Sequence, residues 1–277
     1  MPGIDTSSWV RVPNEGDQVA GAGRTQALTG CVRIGRVRPV GLPLLHEDEV
    51  EGIVSSVYAD IRRRIPFVPA LFKALAAEPE TLVAAWLQAR AILDDPRSPA
   101  AAAAIREAAL VRLDYRPSGR IREAVAPYLA ELPSMLLIVT SLRLSLDGAL
   151  ERRPAPALDL PTEAHVPEPE FPDRGEHPLF PEICAVYGTR HLPSIFRTLA
   201  AGGALEEIWA ALGPFLDSPA GAEAVARVDR EADGRARSLP EVASFDVESA
   251  RPVLEQLARA LPRNLLVAAA GARASER

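Results

Sequence analysis

The sequence predicts an all-α protein made of two copies of one multi-helix unit, and three observations carry that prediction. One marked stretch occurs twice. The later copy runs His191-Leu192-Pro193-Ser194-Ile195-Phe196-Arg197-Thr198-Leu199-Ala200-Ala201, with Trp209 and Leu216-Asp217-Ser218-Pro219 after it. The earlier copy runs Val68-Pro69-Ala70-Leu71-Phe72-Lys73-Ala74-Leu75-Ala76-Ala77, with Trp86 and Leu93-Asp94-Asp95-Pro96 after it. Phe72 and Phe196 are 124 positions apart, and Trp86 and Trp209 are 123 apart. A second echo, Leu132-Pro133-Ser134-Met135-Leu136-Leu137 against Leu261-Pro262-Arg263-Asn264-Leu265-Leu266, falls at 129. This period is too long for a solenoid, so the two units pack against each other rather than stack as an array. The other two observations are apolar residues recurring at steps of three and four, and the lack of any convincing strand pair.

The elements follow in order. Residues 1–45 are rich in Gly, Ser, Thr and Pro, without helical period, and read as an N-terminal arm in which Cys31–Val37 could form a short strand. The first repeat, 46–150, opens with Val50, Ile53, Val54, Val57, Tyr58, Ile61 and Ile65 on one helical stripe. Arg62-Arg63-Arg64 suits that helix's negative end as a solvated run. Pro66 stops it, Pro69 begins a second helix, and Pro79 begins a third carrying Leu82, Val83, Trp86 and Leu87. Ser98-Pro99 and its twin Ser218-Pro219 read as a Ser cap followed by Pro at the first helical position, and the alanines after Ser98 have high helix propensity. The repeat closes with a helix from about Pro133 to Leu146, apolar all round and therefore buried.

Residues 151–176, dense in Pro and acids, form the linker, since closely spaced prolines forbid helix. The second repeat, 177–274, runs through Phe180, Ile183, Val186 and Tyr187 into the second marked stretch. Asp233-Gly234 and Leu239-Pro240 interrupt it before an apolar face of Val247, Val253, Leu254, Leu257 and Leu261.

Composition narrows the function. The 277 residues are 48% apolar and 25% charged, ordinary for a folded protein. A net charge of −6 without a basic stripe argues against nucleic acid as partner. Cys31 and Cys184 are too few for a disulfide framework, and no Cys/His cluster has zinc spacing, so no metal site is expected. No signal-like segment or unbroken apolar run of about 18 residues occurs, so a cytoplasmic protein without a membrane span is expected.

Two related units packed face to face leave a crevice lined by equivalent segments, where small ligands sit. Phe72, Trp86, Phe196 and Trp209 are either its lining or simply core. Lys73, the only lysine, and Arg197 keep a cation at equivalent positions, which could hold an anionic ligand or cap a helix. His191 has a side chain suited to acid–base work near neutrality, and Tyr187, Glu206 and Glu207 are close in sequence.

Val57-Tyr58-Ala59-Asp60-Ile61-Arg62, then Pro66-Phe67-Val68, Leu71-Phe72-Lys73-Ala74-Leu75-Ala76 and Ala85-Trp86, echoed by Pro193-Ser194-Ile195-Phe196-Arg197-Thr198-Leu199-Ala200, resemble the group I 2-haloacid dehalogenases, the DehI type. The resemblance covers about Arg38 to Arg273. It implies an all-helical homodimer of two pseudo-repeats that needs no metal or organic cofactor and displaces halide from short 2-haloacids by an activated water. The family's water-activating aspartate belongs to a Ser-Asp-aromatic-Arg run; here Ser194 and Arg197 match, while Ile195 stands in the aspartate's place. The nearest equivalent of the family's water-holding asparagine is the run Glu131-Leu132-Pro133, which has no amide side chain. His191 and Ser194 are therefore the candidate catalytic residues, with Ile195, Arg197, Lys73, Phe72, Trp86, Tyr187 and Trp209 as candidate substrate contacts. Three functions fit: a small-molecule enzyme with other chemistry, of lyase or cyclase type; a dehalogenase with relocated catalytic groups; and a non-catalytic binding protein. The first is favoured, because an isoleucine cannot accept a proton.

Overall fold

The computed structural model describes residues 42, 44–150, 160, 176–189, 191–239 and 247–273. All lie in the unit Pro39–Arg277. Among the described residues are ten α-helices and no strand. The expected strand at 31–37 and nearly all of the arm and linker lie outside the described residues.

Helix α1 (Gly52–Arg62) follows a 3-10 turn, Glu47–Glu49. Its Val54, Val57, Tyr58 and Ile61 are buried as the stripe predicts, but Ile53 is exposed, because it lies at the helix start before the stripe meets the core. Helix α2 (Ala70–Leu75) is capped by Pro69, one position earlier than the sequence reading put the proline. Helix α3 (Pro79–Asp94) begins on its proline as expected. Helix α4 (Ser98–Ala108) differs in its start: the Ser98 hydroxyl donates to the Ile92 carbonyl and caps nothing. Helix α5 (Gly119–Leu146) is twice the predicted length and runs through Pro127 and Pro133. An internal proline costs about 3 kcal/mol, and the near-continuous burial of Leu132 to Ser145 along this helix offsets it.

The second run comprises α6 (Phe180–Tyr187), α7 (Ser194–Ala201), α8 (Leu205–Leu216), α9 (Pro219–Ala236) and α10 (Arg251–Ala272). Ser218 does cap α9, its hydroxyl accepting from the Gly221 N–H at 3.1 Å. Gly221 has to be glycine, since a Cβ there would fall 2.1 Å from the Phe215 carbonyl oxygen. Helix α9 passes through Asp233-Gly234 without interruption. Ala232 and Ala236 are buried on one side, and the pairs Arg235–Glu231 and Arg237–Asp233, each one turn apart, bridge the glycine on the other.

Helices α5 and α10, which close the two runs, make the most extensive contact between any two helices. They approach so closely that a Cβ on Gly271 would meet Ile121 and Val125 at 3.0–3.1 Å. Polar bonds tie the runs together elsewhere. Arg227 on α9 donates to the Ala108 and Leu110 carbonyls, Ser249 bonds Glu78, and Tyr115 and the Ser118 N–H both reach Glu207. Helix α5 is long and apolar enough to cross a membrane, yet most of that stretch is buried inside the protein, as in the core helix of a folded domain.

Candidate functional site

The α6–α7 turn carries several of the residues that the sequence singles out. Gly188, in the left-handed conformation at φ +61°, ends α6 and lets the Thr189 N–H reach back to the Cys184 carbonyl. The Thr189 hydroxyl oxygen accepts from the His191 N–H and from Gln256 Nε2 on α10, each at 3.0 Å, so the turn is fastened to the last helix. Pro193, with φ −60°, then caps α7.

This arrangement brings several predicted residues together. Tyr187 stands edge-on to Phe196 (5.4 Å between centroids), and Phe196 edge-on to Trp209 (5.7 Å). The Arg197 guanidinium lies 5.6 Å over the Phe180 ring. Burial, with the Arg197 charge as a second cause, holds His191 below its ordinary pKa, so its imidazole is neutral at pH 7. Burial also raises the nearby Cys184 thiol, against the pull of Arg197. The Tyr187 hydroxyl is buried without a hydrogen-bond partner, and burial pushes its pKa well above the usual phenol value. Ile195 is 1% exposed and belongs to the core. Ser194, at the head of α7, is exposed. Across from α7, Tyr128 on α5 shares a 2.7 Å hydrogen bond with Thr198. One turn further along α5, Glu131 is half-buried, and burial raises its carboxyl above the ordinary range.

The first-run residues lie elsewhere. Phe72 and Trp86 meet edge-on at 5.3 Å, both fully buried. The Trp86 indole donates to Asp60, a carboxylate 2% exposed that also pairs with Arg64 (2.9 Å) and Arg90 (3.5 Å). Lys73 is buried in a 2.6 Å ion pair with Glu47, with His46 Nδ1 at 3.4 Å. Its charge therefore has an internal partner, where the sequence reading left a ligand or a helix cap open. In the second run, Trp209 likewise donates to a carboxylate on the first helix of its run, Glu182, at 2.8 Å. Asp60 and Glu182 were missed as partners of the tryptophans. Their separation of 122, close to that of the tryptophans, was the available signal.

A cleft of about 430 Å³ opens between the C-terminal part of α5, α9 and the first half of α10. Arg143, Asp229, Arg259 and Arg263 are among its walls, and none of the residues expected at the site lines it. Arg263 joins it to the α6–α7 turn, since its guanidinium lies 6.0 Å over the Tyr187 ring. Helical spacing alone does not mark these residues, because they come from three helices far apart in sequence. Among the described residues no group of three or more His, Cys, Asp or Glu is placed to hold a metal ion.

No family model matches the sequence, and no curated protein matches it. Solved structures do match by shape. A complex of D-2-haloacid dehalogenase with L-LA superposes with a TM-score of 0.68 at 17% identity, covering 85% of this chain and 97% of that one. A complex of a D-2-haloacid dehalogenase mutant with D-2-CPA gives 0.65 at 16%, covering 85% and 98%. A third structure, of a D-2-haloacid dehalogenase mutant, gives 0.64 at 16%, covering 85% and 97%. The fold of this chain is that of the D-2-haloacid dehalogenases.

Proposed function

We propose that this protein is a divergent small-molecule enzyme on the 2-haloacid dehalogenase fold that does not dehalogenate, and that its chemistry, of lyase or cyclase type, is centred on the α6–α7 turn and the facing part of α5. The observation that carries the reading is Ile195: where the resemblance calls for a water-activating carboxylate, the chain has a branched apolar side chain 1% exposed in the core. A water beside it would be neither deprotonated nor well solvated. Around that position stand groups able to move protons without a strong base. His191, its pKa lowered by burial, can accept one, and Glu131 is a second titratable group whose carboxyl burial raises. We also read the two five-helix runs as copies of one unit, on the strength of the matched Phe–Trp edge contacts and of the indole-to-carboxylate bond that each run makes to its first helix.

Halide release from 2-chloropropionate tests the reading in the wild type and in His191→Ala, Glu131→Gln and Ile195→Asp. The wild type is expected to fall short of a competent dehalogenase by roughly 10²–10⁴-fold, the usual contribution of a positioned general base. Gain of turnover in Ile195→Asp alone supports a retained pocket with another natural substrate. Brisk wild-type turnover abolished by His191→Ala or Glu131→Gln defeats the proposal in favour of a dehalogenase with a relocated base.

A further inference from the structure

The walls of the α5–α9–α10 cleft carry four guanidinium groups against three carboxyl groups. Two of the arginines are answered. Arg251 bonds Asp147 at 2.8 Å, and Arg259 stands 3.5 Å from Glu255. Arg143, Arg263 and Asp229 remain. Among the described residues the Arg143 guanidinium has no hydrogen-bond or ion-pair partner. Arg263 gives one Nη1 bond to the Arg259 carbonyl at 2.7 Å, while its Nε is buried with none. Burial raises the Asp229 carboxyl above its ordinary range, and the two arginines it faces draw it back only in part. Glu248 places a second carboxylate on Arg251 at 2.7 Å, so the excess of positive charge is local: Arg143 and Arg263 have one carboxylate, Asp229, between them. A buried N–H donor left unpaired is costly, so an anion supplying acceptors there is favoured. The planar fork of arginine matches the oxygens of carboxylates and phosphates. At about 430 Å³ the space suits a small organic molecule rather than a bare ion.

We infer that this cleft binds a small organic anion through a carboxylate or phosphate group, held by Arg143 and Arg263, with Asp229 limiting how much negative charge the site accepts. The inference does not depend on the chemistry proposed for the α6–α7 turn. Arg263 nevertheless touches both places, so occupancy of the cleft would fix the guanidinium over Tyr187.

Titration calorimetry on the full chain, with inorganic phosphate and with succinate as probes, tests it. The wild type should bind at least one of the two, and the one bound identifies the headgroup. Arg143→Gln should weaken binding at least about tenfold, since a charge-assisted hydrogen bond contributes roughly 1.5–3 kcal/mol. Asp229→Asn should bind more tightly than the wild type, which loss of a merely structural residue would not produce. Should Arg143→Gln fail to fold by circular dichroism, Arg143→Lys keeps the charge but not the fork and is expected to weaken binding as well. Failure of both wild type and Asp229→Asn to bind either probe overturns the inference, and so does unchanged affinity in the folded Arg143 variant.

Discussion

Trp86 and Trp209 are placed alike, each edge-on to a phenylalanine and bonded to a carboxylate on the first helix of its run, but the polar groups around them differ. Near Trp86 the charges meet in ion pairs, although the amide of Gln88 is buried without a hydrogen-bond partner. Asp60 serves the indole and two arginines at once, and Lys73 is shut in with Glu47. Near Trp209 the carboxylate of Glu182 is on the exposed side of α6, and the groups beyond it are unfinished. The Tyr187 hydroxyl and Arg263 Nε have no partners, and Arg197 rests on a ring. Satisfied buried polar groups stabilise a fold, while unsatisfied ones at the edge of a cleft are what a ligand can complete. The first cluster is closed by buried ion pairs, whereas the second reaches the edge of the α5–α9–α10 cleft through Arg263.

Breaking the first cluster should have the largest effect. Asp60→Ala strands the Trp86 N–H and two arginines, and urea unfolding should show about 3–5 kcal/mol lost. Glu182→Ala should lower the urea midpoint far less, because water can replace the exposed carboxylate. Equal losses would remove the asymmetry. Next, Lys73→Met should cost about 3 kcal/mol by leaving Glu47 buried and unpaired. Adding Glu47→Leu should recover much of that loss, whereas a ligand-binding Lys73 would show no such coupling. Ser218→Ala should cost about 1 kcal/mol through the lost cap of α9, read from the same unfolding curves. The smallest effect is electrostatic. In an NMR titration His191 should have a midpoint below the 6.5 of a free histidine. Arg197→Ala should move it up only in part, since burial is the larger cause. Because the folded value is the lower one, the His191 contribution to stability is complete above about 6.5 and is lost as the pH falls towards the folded midpoint.

The all-helical class and most helix starts were legible because apolar spacing and prolines are local signals. Pro79 and Ser218 did what their positions implied. Pro133 and Asp233-Gly234 did not, since tertiary burial along α5 and α9 outweighed local preference. The same limit governs the site. Sequence neighbours such as Tyr187, His191 and Arg197 came together through one turn and one helix. The cleft could not be foreseen, because Arg143, Asp229 and Arg263 meet only through the packing of three helices. Lys73 illustrates the converse, its fate depending on Glu47, a residue outside the repeated stretch.

The packing of α5 against α10 has a consequence for how the chain can be divided. Each of these helices ends its own run, and each buries much of its apolar surface on the other, down to the backbone approach at Gly271. A fragment ending at Leu150 would therefore expose the face that α10 covers, and one beginning at Glu176 would expose its counterpart, so neither should hold a fixed core by itself. Mixed together, the two should find each other and recover the intact spectrum, with no covalent link needed between them. The protein would then behave as a heterodimer whose subunits happen to be encoded in one chain.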